Sequence, residues 1–147
     1  MADSRQSVDA AAWVFRTAGI LLLLVAAIHL LITPRFARFV AGAVPPRAWT
    51  IIGPPSVLNH VVVGILLVPV GACALTVAPM LREPWAWRLA WVTALAVAAL
   101  PVSLALLMRG EAYDAAPFVV AEVLVTAVGV SLPAVLLWTG FARRTDE

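Results

Sequence analysis

The sequence predicts an all-α integral membrane fold, a four-helix bundle in which every helix crosses the bilayer. The first argument is the composition: 63% of the 147 residues are hydrophobic, 12% are charged, and the mean hydropathy is +1.01. Soluble domains are about 45–50% apolar and about 25% charged, so these values exclude a soluble globular enzyme and a disordered chain. The second argument is the occurrence of four apolar stretches that reach the ~20 residues needed by a transmembrane helix.

We expect the whole chain, 1–147, to form a single transmembrane domain. The four spans are predicted at about 10–33, 57–81, 85–108 and 115–141. Span one should end at Thr33, because a residue that precedes a proline disfavours the helical conformation. Ser56 is expected to cap span two, and Pro84 is expected to occupy the first position of span three.

The arginines predict the orientation of the spans. If the N-terminus is cytoplasmic, six of the ten arginines fall on that side and four on the other, which favours cytoplasmic positions for both termini. We expect the first apolar stretch to be retained as a span, since no convincing cleavage site follows it. The bias toward Ala, Arg and Pro is typical of a high-GC bacterial genome and predicts the bacterial cytoplasmic membrane.

Tryptophans recur where span one starts, where span three starts and where span four ends. These three ends should lie at the same membrane interface, where an aromatic belt is expected. The residues concerned are Trp13, Trp85, Trp87, Trp91, Trp138 and Phe141.

The first loop is the longest predicted connection, 22 residues from Pro34 to Pro55. Phe36, Phe39 and Val40 recur in it at helical spacing with arginines between them. That spacing predicts a short amphipathic helix on the membrane surface. An irregular loop with scattered apolar residues fits the same segment equally well.

Small residues recur at helix-packing intervals on two spans. Such residues let helix backbones approach closely in a bilayer, where no hydrophobic effect drives helix association. The alanine stripe of span three comprises Ala86, Ala90, Ala94 and Ala98, and Gly64 and Gly71 lie one heptad apart on span two.

Five polar residues lie within the spans, in the membrane half nearest the first and third loops. They are His29, Asn59, His60, Ser103 and Glu122. An ionisable residue inside a membrane indicates a functional site, because burying it in lipid is costly. We predict that His29, His60 and Glu122 converge in a polar ligand site, with Asn59 and Ser103 as supporting hydrogen-bonding residues. The two imidazoles and the carboxylate are also a candidate metal-ligand set.

Structural explanations are available for most of these residues. Asn59 and His60 lie near a predicted helix start, where interfacial polar residues are common. His29 lies near a predicted helix end, where it can interact with the negative end of the helix dipole or with a loop carbonyl. Glu122 is the deepest of the five and the hardest to explain in structural terms.

Four segments between Gly19 and Leu107 carry a family resemblance. They read AAIHLLITPRF, VPPRAW, VLNHVVVGILLVPVG and AWRLAWVTALAVAALPVSL. With its His-x-x-x-x-Pro-x-Phe ending of helix one, the chain resembles the DoxX-like family of small four-helix membrane proteins. That family usually carries a glutamate where this chain has His60, four residues before Gly64. The resemblance implies the four-span topology and an association with quinone-linked oxidation or with redox and stress functions.

Three functions fit the sequence. The first is a redox-associated membrane protein or subunit that binds a quinone or similar lipid near His29, His60 and Glu122, which could also move protons. The second is a non-catalytic accessory or anchoring subunit that contacts larger membrane partners, or further copies of itself, through the alanine stripe. The third is a b-type haem protein with His29 and His60 as iron ligands, or a metal site that adds Glu122.

Other functions are excluded by what the sequence lacks. The net charge of +2 is small and dispersed, which argues against nucleic-acid binding. Cys73 is the single cysteine, so neither a disulfide framework nor a cysteine-based zinc motif can form. The chain contains no nucleotide-binding fingerprint, phosphate loop or catalytic triad pattern, so its expected partners are the lipid bilayer and other membrane components.

Overall fold

The computed structural model describes residues 2–107 and 116–145, with side chains for 5–103 and 123–140. These ranges contain no strand, and their four helices are α1 (Ala2–Ala43), α2 (Trp49–Val77), α3 (Pro84–Leu107) and α4 (Ala116–Thr145). Each helix includes a stretch that is long and apolar enough to cross a membrane. The predicted all-α class with four membrane-spanning helices is therefore confirmed, and Pro84 begins α3 as expected.

Helix α1 does not end at Thr33. It continues through Pro34 to Ala43, for a total of 42 residues. Residues 36–40, for which the sequence predicts a short surface helix or a loop, are helical and belong to the end of α1. Because 42 residues rise about 63 Å and the hydrocarbon core is about 30 Å thick, part of α1 lies outside that core at any ordinary tilt.

Two side chains hydrogen-bond to backbone carbonyls on either side of Pro34 inside α1. Pro34 has no N–H to donate to Leu30, and its ring crowds the preceding turn. Thr33 Oγ1 donates to the carbonyl of His29 at 2.8 Å, and Arg38 Nε lies 3.4 Å from the carbonyl of Pro34. Neither bond replaces the donor that the carbonyl of Leu30 loses.

Helix α2 begins at Trp49, well before the predicted start at residue 57. Pro54 and Pro55 lie inside its first turns. Ser56 is therefore not an N-cap as predicted, and its Oγ donates to the carbonyl of Ile52 in the preceding turn at 2.7 Å. This is the usual i−4 bond of a serine within a helix.

The connection between α1 and α2 is therefore residues 44–48, much shorter than the predicted 22-residue loop. It contains one 3₁₀ turn, closed by the Ala48 N–H donating to the carbonyl of Pro45 at 2.9 Å. Just beyond it, the ring of Trp49 lies across Gly53, where a Cβ atom would overlap the indole. Only glycine leaves room for the ring at that position.

The chain divides into two compact units, which are described separately. Unit 1 comprises Met1–Gly19 and Cys73–Glu147, and unit 2 comprises Ile20–Ala72. Unit 1 therefore includes α3 and α4, whereas unit 2 consists of the second half of α1 and most of α2.

In unit 1, α3 and α4 pack side by side, with a glycine of α4 at their contact. A Cβ atom at Gly129 would lie 2.9 Å from Cγ of Pro101, so the helices approach closely there. Thr139, fully buried, lies with its Oγ1 3.2 Å from the carbonyl of Ser7. This contact holds the end of α4 against the start of α1.

In unit 1, the starts of α1 and α3 and the end of α4 lie close together, as the positions of the tryptophans predict. Arg82, before α3, pairs with Asp9 near the start of α1 at 3.3 Å, although both side chains are well exposed and such pairs contribute at most about 1 kcal/mol. A Cβ atom at Gly140 in α4 would lie 3.8 Å from the Trp87 ring of α3. The tryptophans exposed in this unit are Trp13, Trp85 and Trp138.

The alanine stripe of α3 is a buried packing surface. Ala86, Ala90 and Ala94 have no exposed area, and Ala98 is half-buried. The stripe therefore serves packing within unit 1, as its spacing predicts. Contact of the protein with a larger membrane partner stays a prediction, and the three buried alanines of the stripe are covered by the protein's own helices.

Unit 2 is an antiparallel pair of helices with a narrow core. Gly64 and Gly71, the predicted small residues of α2, are both buried. The buried apolar side chains of this unit are Leu22, Ala26, Val40 and Leu67. The unit contains no Asp or Glu, since the chain has none between Asp9 and Glu83.

We predict that Ala90→Leu destabilises the protein by about 1–3 kcal/mol, because three extra carbons would be forced into a fully packed site. The matched control is Ala96→Leu on the exposed side of the same helix, for which a change within about 0.5 kcal/mol is expected. Thermal unfolding in detergent, followed by tryptophan fluorescence, measures both. Equal effects of the two substitutions would contradict the burial of the stripe.

Candidate functional site

Three aromatic rings of unit 2 form a stack, here called the histidine stack: His29 and Phe36 of α1 and His60 of α2. The ring centroids of His29 and His60 are 4.7 Å apart with planes inclined by 25°. Those of Phe36 and His60 are 4.3 Å apart with planes inclined by 18°. His29 and Phe36 are two helical turns apart on one face of α1, so the ring of His60 is inserted between them.

Backbone carbonyls of α1 hold both imidazoles. His29 Nδ1 donates to the carbonyl of Val25 at 3.0 Å, one turn back in its own helix. His60 Nε2 donates across to the carbonyl of His29 at 3.1 Å. That carbonyl also accepts the Thr33 hydroxyl at 2.8 Å, so it is the point at which α2 is fixed to the proline turn of α1.

A glycine lets α2 approach α1 closely beside the stack. A Cβ atom at Gly64, one turn after His60, would lie 3.1 Å from Cβ of His29 and 3.1 Å from Cδ2 of Leu30. These distances are shorter than ordinary van der Waals contact. Gly64 is therefore the small residue that lets the backbones of α1 and α2 lie close together beside the histidine stack.

The structure thus brings His29 and His60 together, and Asn59 precedes His60 in α2. Asn59 is exposed, and adjacent residues on a helix do not face the same way. Ser103 belongs to unit 1, is exposed, and donates its hydroxyl to the carbonyl of Ala99 in its own helix at 2.8 Å. The predicted convergence of Ser103 with the two histidines stays a prediction.

Glu122 is a residue of α4 in unit 1, and the structure describes its backbone but not its side chain. Its predicted approach to the histidines therefore also stays a prediction. The polar residues of the third loop, Arg109, Glu111, Tyr113 and Asp114, lie outside the described residues as well.

Sequence reasoning missed Phe36 and Thr33 as members of the site. The signal was present, since Phe36 follows His29 by seven residues and would share its helix face if the helix continued. Taking Pro34 as the end of the helix removed that face from consideration. The predicted position of His29, in the membrane half nearest the first loop, depended on the same helix end. The structure places that end at Ala43.

The ring geometry disfavours haem or metal binding in this conformation. Two imidazoles that ligate haem iron lie on opposite faces of the macrocycle with nitrogens aimed at the metal, whereas these two rings are face to face and in contact. One nitrogen of each ring is occupied by a backbone carbonyl. Where side chains are described, no three His, Cys, Asp or Glu residues group closely enough to hold a metal ion.

Comparison with known proteins adds no assignment: no family model, curated protein or solved structure matches this chain. The functional argument therefore depends on the geometry of the histidine stack.

We predict that Gly64→Ala destabilises the protein by about 1 kcal/mol or more, because the added methyl group must displace α1 beside His29. Gly42→Ala is the matched control, since a Cβ atom there meets nothing within 4 Å. Alanine is a better helix former than glycine, so the control should be neutral or stabilising by up to about 1 kcal/mol. Thermal unfolding in detergent should give opposite signs, and stabilisation by both substitutions would contradict the close approach.

Proposed function

We propose that this chain is an integral membrane protein whose histidine stack binds a small planar ligand of the quinone class as part of a redox process in the membrane. The observation that carries the proposal is the stack itself. Each imidazole uses one nitrogen to bind a carbonyl of α1 and keeps its second nitrogen for another partner. Two polar rings positioned in this way are costly in a membrane helix, and a ligand contact would explain them.

The surroundings of the stack favour a lipid-soluble ligand. Apolar side chains that share the helix face of His29 are exposed, namely Val25 at 36% and Ile32 at 39%. A planar head group could contact the imidazole edges while an isoprenoid or alkyl tail lies along these side chains. The absence of acidic residues from unit 2 argues against a cationic ligand or metal ion as the occupant.

The DoxX-like resemblance belongs to the same proposal. All three residues of the histidine stack lie in the segments that carry it, and quinone-linked oxidation is among the associations of that family. A bacterial cytoplasmic membrane and cytoplasmic termini are part of this proposal too. His60 occupies the position where that family usually carries a glutamate, so the ligand contact at this place would be made by an imidazole instead of a carboxylate.

A second candidate is a non-catalytic membrane subunit in which the stack only joins two helices. The hydrogen bond from His60 to the carbonyl of His29 favours this candidate, since it joins α2 to α1 without any ligand. Ligand binding separates the two candidates, because a purely structural stack has no affinity for quinones.

The test is calorimetric titration of the purified protein in detergent, without oxygen, with a short-chain benzoquinone in its oxidised and in its reduced form. His60→Phe keeps a ring between His29 and Phe36 but removes both nitrogens, and it should weaken binding of the tighter-binding form about three- to tenfold. Ser131→Ala is the control, since that hydroxyl donates to the carbonyl of Val128 within unit 1. Thermal unfolding of each variant checks its folding. Failure of the unmodified protein to bind either redox form, or equal affinity of His60→Phe for the form that binds more tightly, would contradict the proposal.

We predict no Soret band in the visible absorption spectrum of protein purified from cells supplied with haem. The stacked imidazoles must separate before a macrocycle could enter between them. A stoichiometric Soret band that disappears in both His29→Ala and His60→Ala would establish the haem alternative and reject the quinone proposal.

A further inference from the structure

The hydrogen bonds of the histidine stack determine which nitrogen of each ring carries the proton. A backbone carbonyl can only accept a hydrogen bond, so the ring nitrogen that faces it must be the donor. His29 therefore carries its proton on Nδ1, which faces the carbonyl of Val25 at 3.0 Å. His60 carries its proton on Nε2, which faces the carbonyl of His29 at 3.1 Å.

The opposite nitrogens are left as acceptors. A neutral imidazole has one donor nitrogen and one acceptor nitrogen, so His29 Nε2 and His60 Nδ1 each present a lone pair. Among the residues whose side chains are described, neither nitrogen has a hydrogen-bond partner, and both rings are half-buried rather than fully enclosed.

The neighbourhood of the stack does not supply the missing donor. The hydroxyls one turn away on each helix, those of Thr33 and Ser56, already donate to the carbonyls of His29 and Ile52. The cationic side chains of unit 2 are Arg35, Arg38 and Arg47, of which Arg38 is directed at the carbonyl of Pro34. Unit 2 has no carboxylate that would favour a doubly protonated imidazole by direct pairing.

We propose that the histidine stack selects a ligand that donates a hydroxyl hydrogen, namely the reduced, hydroquinone or phenol class, over the corresponding quinone. A quinone oxygen is only an acceptor and cannot bond to a lone pair on nitrogen, whereas a hydroquinone hydroxyl can donate to His29 Nε2 or His60 Nδ1. This inference depends on the proposed function, since it specifies which redox form occupies that site.

The test compares the two redox forms of one short-chain benzoquinone. The protein in detergent is titrated without oxygen, first with the hydroquinone and then with the quinone. Because one neutral hydrogen bond contributes about 0.5–1.5 kcal/mol, the hydroquinone should bind about three- to tenfold more tightly. His29→Asn keeps a donor at the position of Nδ1 and removes the Nε2 lone pair, and His60→Gln keeps a donor at the position of Nε2 and removes the Nδ1 lone pair.

At least one of these two variants should lose most of the preference for the hydroquinone, whereas Ser131→Ala should keep it. Nitrogen-15 NMR of histidine-labelled protein gives an independent measurement of the protonated nitrogens. Protons on His29 Nδ1 and His60 Nε2 are expected, and addition of the hydroquinone should shift the signal of an unprotonated nitrogen.

The outcomes separate this inference from the proposed function. Equal or tighter binding of the quinone, or protons found on the opposite nitrogens or on both nitrogens of the rings, would overturn the inference and leave quinone binding in place. Lack of binding of either form would overturn both. A preference that survives in His29→Asn and in His60→Gln would place the hydroxyl contact outside the histidine stack.

Discussion

The hydrogen bond from His60 of α2 to the carbonyl of His29 in α1 is the interaction on which the histidine stack depends. Each unsatisfied polar group in lipid costs several kcal/mol, because no water is present to replace the lost partner. Pro34 leaves the carbonyl of Leu30 without its usual N–H donor, and the carbonyl of the adjacent His29 accepts both the Thr33 hydroxyl and His60. The bond from His60 therefore joins the two helices next to Pro34 and fixes the orientation of its own ring.

Small residues make that arrangement possible in both units. In unit 2, Gly64 permits the backbone of α2 to approach His29. Without this approach, His60 Nε2 would lie farther from the carbonyl of His29. In unit 1, the alanine stripe of α3 and Gly129 of α4 play the corresponding role. Close packing of this kind replaces the hydrophobic effect, which does not drive helices together in lipid.

The sequence was sufficient to predict the four apolar helices, the burial of the alanine stripe and the small residue beside the histidines. These features follow from composition and from spacing along a regular helix. The ends of α1 and α2 were not predictable from local rules, because those rules treat Pro34, Pro54 and Pro55 as helix boundaries. The bond that joins the two helices beside Pro34 is likewise not local, since 31 residues separate His60 from the carbonyl of His29.

The choice of histidine over other donors distinguishes a structural from a ligand-binding role. Support of the carbonyl of His29 requires one N–H group, which a glutamine side chain could supply without an aromatic ring. An imidazole at His60 adds two further properties, a ring that stacks on His29 and Phe36 and a lone pair on the nitrogen opposite the donor. Stacking alone could be provided by phenylalanine and the hydrogen bond alone by glutamine. A site that uses the ring, the donor and the lone pair together requires histidine, and under the proposed function the lone pair is the part that the ligand would contact.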